Sequence, residues 1–155
     1  MLPPAFAAEL GWTIAGFGHL EDMLKRAIFA LDRGRLSGAI RDIDFQSWLQ
    51  QMDHVAADSL GTLIERLDRT LARSGNALPD MIAELDEIKF FRNLLCHAAW
   101  LPTDDDDEWV PLFANTRGET FDTPMSAQNL SGIRDRTLDA AARIGRLIDQ
   151  ANDLA

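Results

Sequence analysis

Lys89-Phe90-Phe91-Arg92-Asn93-Leu94-Leu95-Cys96-His97-Ala98-Ala99-Trp100 is the stretch whose reading decides the fold. It closes a helix predicted from about Pro79. At 100° per residue Met81, Leu85, Ile88, Leu95 and Ala99 form one apolar stripe, and Arg92 lies inside it. Phe90, Phe91, Leu94 and Ala98 cover the other faces of the last turns, so this helix end is apolar nearly all round. Such an end is expected to be buried on more than one side, by its own bundle and by a partner chain. An arginine placed there keeps its charge and must meet a carboxylate, carbonyl groups or a ligand phosphate.

Outward from that helix, the rest of the chain also reads as helical. Pro3 and Pro4 suit the first turn of a helix in which Ile14, Phe17, Leu20, Leu24, Ala27, Ile28 and Leu31 recur at helical spacing, with Gly34 as a stop after Arg33. Gly11, Gly16 and Gly18 each weaken it by roughly 1 kcal/mol relative to Ala, a cost tolerated where another backbone approaches closely. Residues 35–43 lack a clean period and read as a connection. Asp44 is the N-cap of a second helix with the stripe Trp48, Leu49, Met52, Ala56, Leu60, Leu63, Leu67 and Leu71, ending at Ser74-Gly75. That helix would span about 45 Å, so a break near His54–Gly61 is expected.

After Trp100 the helical pattern gives way to an aspartate run, Asp104 to Asp107. Two short strands follow, Trp109–Ala114 and Glu119–Thr123, around Asn115-Thr116-Arg117-Gly118. Pro111 confines the first of them to a sheet edge. Ser126 or Ser131 then caps a last helix carrying Leu130, Ile133, Leu138, Ala141, Ile144, Leu147, Ile148 and Ala151. The expected fold is all-α: one domain over residues 1–155, an up-and-down bundle of four to five helices with a small β-hairpin before the last.

Composition bounds the function. The 155 residues are 46% apolar, enough for a proper core. One cysteine excludes an internal disulfide and suits a reducing cytoplasm. No apolar run approaches membrane-spanning length, and no secretion signal opens the chain. The net charge of −10 argues against a nucleic-acid coat protein, although residues 24–41 carry a local excess of Lys and Arg. The Asp104–Glu108 run lacks the glycine and alternating ligands of a calcium loop, so it reads as a solvated loop. His19, His54 and His97 have no i, i+4 partner, and phosphate-loop, dinucleotide and nucleophile-elbow motifs are missing. The expectation is no metal and no cofactor. Trp12, Trp48, Trp100 and Trp109 read as core or interface fillers, and His19 and His54 as structural or surface residues.

What remains is Arg92 with His97. A guanidinium steadies the extra negative charge of a pentavalent phosphorus, and an imidazole moves protons. Five residues on an ideal helix separate the two by about 140° and about 7.5 Å along the axis. Two copies of this helix end crossing at a two-fold axis would gather both pairs around one cleft. Glu21 and Asp22 on the first helix are the candidate carboxylates to face Arg92 inside the bundle, with a solvated ion pair equally allowed for either. With 13 arginines and 3 histidines, an Arg followed by a His at this range of offsets arises by chance about 0.75 times, so spacing alone carries no weight.

The context does carry weight. Phe91-Arg92-Asn93-Leu94-Leu95-Cys96-His97-Ala98-Ala99-Trp100, late in the third helix of a helical chain, resembles the HEPN (higher eukaryotes and prokaryotes nucleotide-binding) domain family. Its motif is Arg, four to six residues, then His, often with Asn directly after the Arg; Arg92, Asn93 and His97 match position by position. Phe17, Leu20-Glu21 and Leu24 in the first helix, and the hairpin before the last, also look like some stand-alone members. The likeness in architecture covers most of the chain, and the specific residues about ten positions. It implies a homodimer and, in active members, a metal-independent endoribonuclease of stress, toxin–antitoxin or phage-defence systems, with RNA as substrate and an antitoxin or other protein as partner. On that resemblance His97 handles proton transfer, Arg92 stabilises the transition state and Asn93 orients the pair or the phosphate. Ala99 stands where toxins paired with small nucleotidyltransferase antitoxins commonly carry a tyrosine, and the chain has no tyrosine. The alternative is a non-catalytic dimerisation or ligand-binding module of the same family, with Arg92 in a structural ion pair.

Overall fold

A computed structural model describes residues 1–35, 47, 48, 50, 59–114, 118 and 120–153. The chain is mostly helical, with a small antiparallel β region before the last helix. Four helices have described bounds: α1 (Pro4–Arg35), α2 (Leu60–Arg73), α3 (Pro79–His97) and α4 (Ala127–Asp153). Between α3 and α4 lie β1 (Ala99–Pro102), β2 (Glu108–Ala114), β3 (Thr120–Phe121) and β4 (Met125–Ser126). None of the described helices is long and apolar enough to cross a membrane. The predicted connection at 35–43 (from Leu36 on), the Asp44 cap and the stripe positions Leu49, Met52 and Ala56, like His54, lie outside the described residues.

The contacts divide the chain into two compact units, residues 1–18 with 87–138, and residues 19–86 with 139–155. In the second unit the central part of α1 contributes Leu20, Leu24 and Ile28, and α2 contributes Leu60, Leu63, Ile64, Leu67 and Leu71, all at most 1% exposed. Leu60, Leu63, Leu67 and Leu71 are the stripe read from the sequence, and Ile64 joins it at the i+4 position. Within the span where a break in the second helix is expected, the described helix begins at Leu60 with Ser59 as its N-cap. The Ser59 hydroxyl accepts from Thr62 N at 3.4 Å, supplying one of the partners that the first N–H groups of a helix lack. At the other end Gly75 adopts φ 75°, Gly75 N donates to Ala72 O and Asn76 N to Leu71 O, the paired bonds of a Schellman stop.

In the first unit α4 begins with a reciprocal cap. The Ser126 hydroxyl accepts from Asn129 N (3.1 Å), and the Asn129 side-chain oxygen accepts from Ser126 N (2.8 Å). Thr13, fully buried on α1, directs its hydroxyl to both Glu9 O (2.8 Å) and Leu130 O (3.2 Å), tying α1 to α4. Glu9 and Arg134 approach to 3.0 Å in the same region, yet the buried Oε1 and Nε are not aligned for a hydrogen bond. The Arg134 guanidinium also lies over the Trp12 ring, 5.4 Å from its centroid.

Several positions depart from the sequence reading. Helix α1 runs through Gly34 to Arg35. Ile14 and Leu138 are 39% and 43% exposed, because Thr13 and Thr137 take the buried places beside them and return their hydroxyls to carbonyls four residues back. Gly16 meets side chains of α4 (Thr137 Cγ2 at 3.7 Å from a notional Cβ), not a neighbouring backbone, and Gly11 and Gly18 face open space. Trp12 is 57% exposed. The largest difference is at the end of α3. The helix stops at His97, and Ala99 and Trp100 belong to β1, in antiparallel register with Leu112 and Pro111. Strand β2 is consequently central, with β1 on one side and β3 and β4 on the other. Strand β2 is therefore not the edge strand that Pro111 predicts; on its second side the pairing with β4 reaches Trp109 and that with β3 starts at Phe113, so among the described residues Pro111 has no partner there to demand its missing N–H.

Candidate functional site

The end of α3 is held from beneath by Ile88, Leu94 and Leu95, each 3% exposed or less. Leu94 O accepts the N–H of Ala98 at 2.9 Å, completing the last turn. One residue later the backbone is committed to the β1–β2 ladder, which is why the helix cannot continue. The sheet then shows two different faces. Trp100 and Trp109 are half-buried and Pro111 is buried, whereas Ala99, Leu101 and Leu112 are exposed. Trp100 meets Phe6 edge-on, with centroids 5.3 Å apart. The indole Nε1 of Trp109 is buried without a hydrogen-bond partner.

On this scaffold Arg92 is half-buried, and its Nη1 donates to the Asn93 side-chain oxygen at 3.2 Å. Successive helix side chains diverge by 100°, so the contact depends on the reach of the arginine. It gives the cation one of the carbonyl acceptors that its place among apolar neighbours requires. His97 occupies the last turn and is exposed, as is Cys96. Phe90, 38% exposed, stacks edge-on with Phe91 and Phe121 at 5.5 and 6.0 Å. The Arg136 guanidinium lies over Phe91 at 5.9 Å and pairs with Glu87.

Arg92, Asn93 and His97 thus share one unit and one helix end, with Arg92 and Asn93 in direct contact. The two proposed supporting carboxylates belong to the other unit. Asp22 pairs with Arg26 at 2.8 Å across one helical turn, and Glu21 is half-buried. Chemically, the helix end offers an oriented guanidinium for phosphoryl oxygens and a solvent-facing imidazole for protons.

The aspartate run is built as a turn. Asp105 N donates to Thr103 Oγ1 (3.0 Å), Asp107 N to Asp105 Oδ1 (2.9 Å), and Asp104 to Asp107 are exposed. Among the described residues no three His, Cys, Asp or Glu side chains gather as a metal site would need. Charge counting over residues 24–41 overlooked a different cluster. Arg66, Arg69 and Arg73, at helical offsets of three and four on α2, line one concavity with Asp32 and Thr70. The i, i+3, i+7 spacing was the available signal.

Comparison with family models, curated proteins and solved structures finds no significant match to this chain.

Proposed function

We propose that the chain is a HEPN-like, metal-independent endoribonuclease acting as a homodimer in a stress, toxin or phage-defence role. The observation that carries this reading is the arrangement at the end of α3. There a half-buried arginine is oriented by its neighbouring asparagine, and the histidine five residues on stands exposed in the same unit. In the proposed reaction a ribose 2′-oxygen attacks the adjacent phosphorus and gives its proton to a His97 imidazole. The P–O5′ bond breaks, and the leaving oxygen takes a proton from the protonated imidazolium of the second copy, which becomes neutral. Arg92 neutralises the extra charge on the non-bridging oxygens. The products carry 2′,3′-cyclic phosphate and 5′-hydroxyl ends.

The test is incubation of the purified protein with single-stranded RNA in excess EDTA. Wild type is expected to cleave, and Arg92→Ala and His97→Ala each to lose about a hundredfold or more, with far-UV circular dichroism unchanged. A wild type that leaves every RNA intact overturns the enzyme. The reading then passes to a non-catalytic HEPN-like dimerisation or ligand-binding module. Two observations favour that second reading: Arg92 already has an acceptor within the chain, and Leu101 and Leu112 are 45% and 41% exposed on one face of the sheet.

A further inference from the structure

We infer that Arg66, Arg69 and Arg73 form a binding site for a single dianionic phosphate group, independent of the helix end that carries Arg92. The three arginines project from one face of α2, and Asp32 of α1 completes the rim of a concavity of about 120 Å³. This small concavity opens to solvent and has room for one tetrahedral oxyanion, whose attached group, if any, would stand outside it. Three guanidiniums against one carboxylate leave the lining with a formal charge of +2. A terminal phosphate brings about −1.5 to −2 at neutral pH, whereas a phosphodiester brings −1.

Two details sharpen the site. Thr70 in its floor is 4% exposed and gives its hydroxyl proton to Arg66 O at 2.8 Å, so the anion must be held by the arginines and not by this hydroxyl. The carboxylate of Asp32 lines the same hollow and repels an anion placed against it, which confines the phosphate to the side bounded by Arg69 and Arg73, both exposed. The helix C-terminus nearby favours a cation, which accounts for Arg73 in the last turn. It does not account for Arg69, a second exposed guanidinium lining the same hollow a turn earlier. Planar forks that match phosphate oxygens two at a time do account for the pairing of Arg69 with Arg73.

The experiment follows the arginine Nε–Hε cross-peaks of the full chain by ¹⁵N NMR during titration with inorganic phosphate, adenosine 5′-monophosphate and dimethyl phosphate. Each titration is matched in ionic strength by sodium chloride. Saturable shifts are expected with the first two, and binding of the diester at least about tenfold weaker. Equal affinities for inorganic phosphate and the nucleotide identify a free oxyanion as sufficient; a tighter nucleotide identifies a phosphate presented on a nucleoside. Arg69→Gln/Arg73→Gln is expected to weaken phosphate binding about tenfold or more. Arg143→Gln/Arg146→Gln, the same change of charge on α4, is expected to leave it intact. Should the first variant lose its fold, Arg69→Lys keeps the charge, removes the fork, and is expected to weaken binding several-fold. Shifts no larger than those of matched chloride, or equal losses in the α2 and α4 variants, overturn the site. RNA cleavage is not read in any arm, so this result stands apart from the fate of the nuclease proposal.

Discussion

Gly75 and Gly18 are the same residue type under opposite constraints. Gly75 stops α2 at φ 75°, a conformation that costs a residue with a Cβ about 1 kcal/mol or more. Gly18 lies in the interior of α1 with open space where a Cβ would stand. Gly75→Ala is therefore expected to lower stability by about 1 kcal/mol, and Gly18→Ala to raise it by about 0.5–1 kcal/mol. Urea unfolding midpoints check both, and the same sign for the two would contradict the account. The stop at Ser74-Gly75 was legible because glycine after a periodic run has one main physical use. The exposure of Ile14 and Leu138 was not. A threonine whose hydroxyl returns to a carbonyl four residues back is as easily buried as an aliphatic side chain, and hydropathy alone does not distinguish such a threonine from a solvated one. Arg92 was legible as an anomaly, but its contact with Asn93 depends on a side-chain reach that no periodicity encodes.

At the scale of elements, the helices announced themselves through their stripes, and the strands through a change of period. The helical pattern in the sequence overruns the end of α3 by three residues for a physical reason. Leu95 and Ala99 are four apart, so they continue a helical stripe, yet Ala99 and Leu101 also alternate as a strand does. The ladder with β2 decided between the two, and pairing across a dozen residues is invisible to a local pattern. This division of labour predicts unequal costs of truncation. Leu94→Ala, at a position fully buried beneath the last turn, is expected to cost about 2–5 kcal/mol. Leu112→Ala, on the exposed side of β2, is expected to cost less than about 1 kcal/mol in the single chain. Thermal unfolding of the two variants at low protein concentration measures the difference.

For the molecule as a whole, charge is the feature that most constrains function. A chain of net charge −10 repels a polyanion at long range, so any phosphate it binds must be held by local cations. Arg92 at one helix end, and the three arginines along α2, are where the fold supplies them. The nuclease proposal also requires two copies. Light scattering after gel filtration is expected to return twice the 17.3 kDa of one chain, and a monomer that persists at micromolar concentration would remove the shared cleft. Finally, a single residue, Ala98, separates the last turn of α3 from the first ladder pair of the sheet. Side chains alternate along a strand and advance by 100° along a helix, so this joint works like a gear of one tooth. Lengthening it by one residue would turn Trp100 outward and bring Ala99 and Leu101 inward, or else twist the histidine away from its bearing. The phase between the helix end and the sheet is thereby locked, and an insertion that surface loops absorb without cost would here put the helix that carries Arg92 and His97 out of step with the strands beside it.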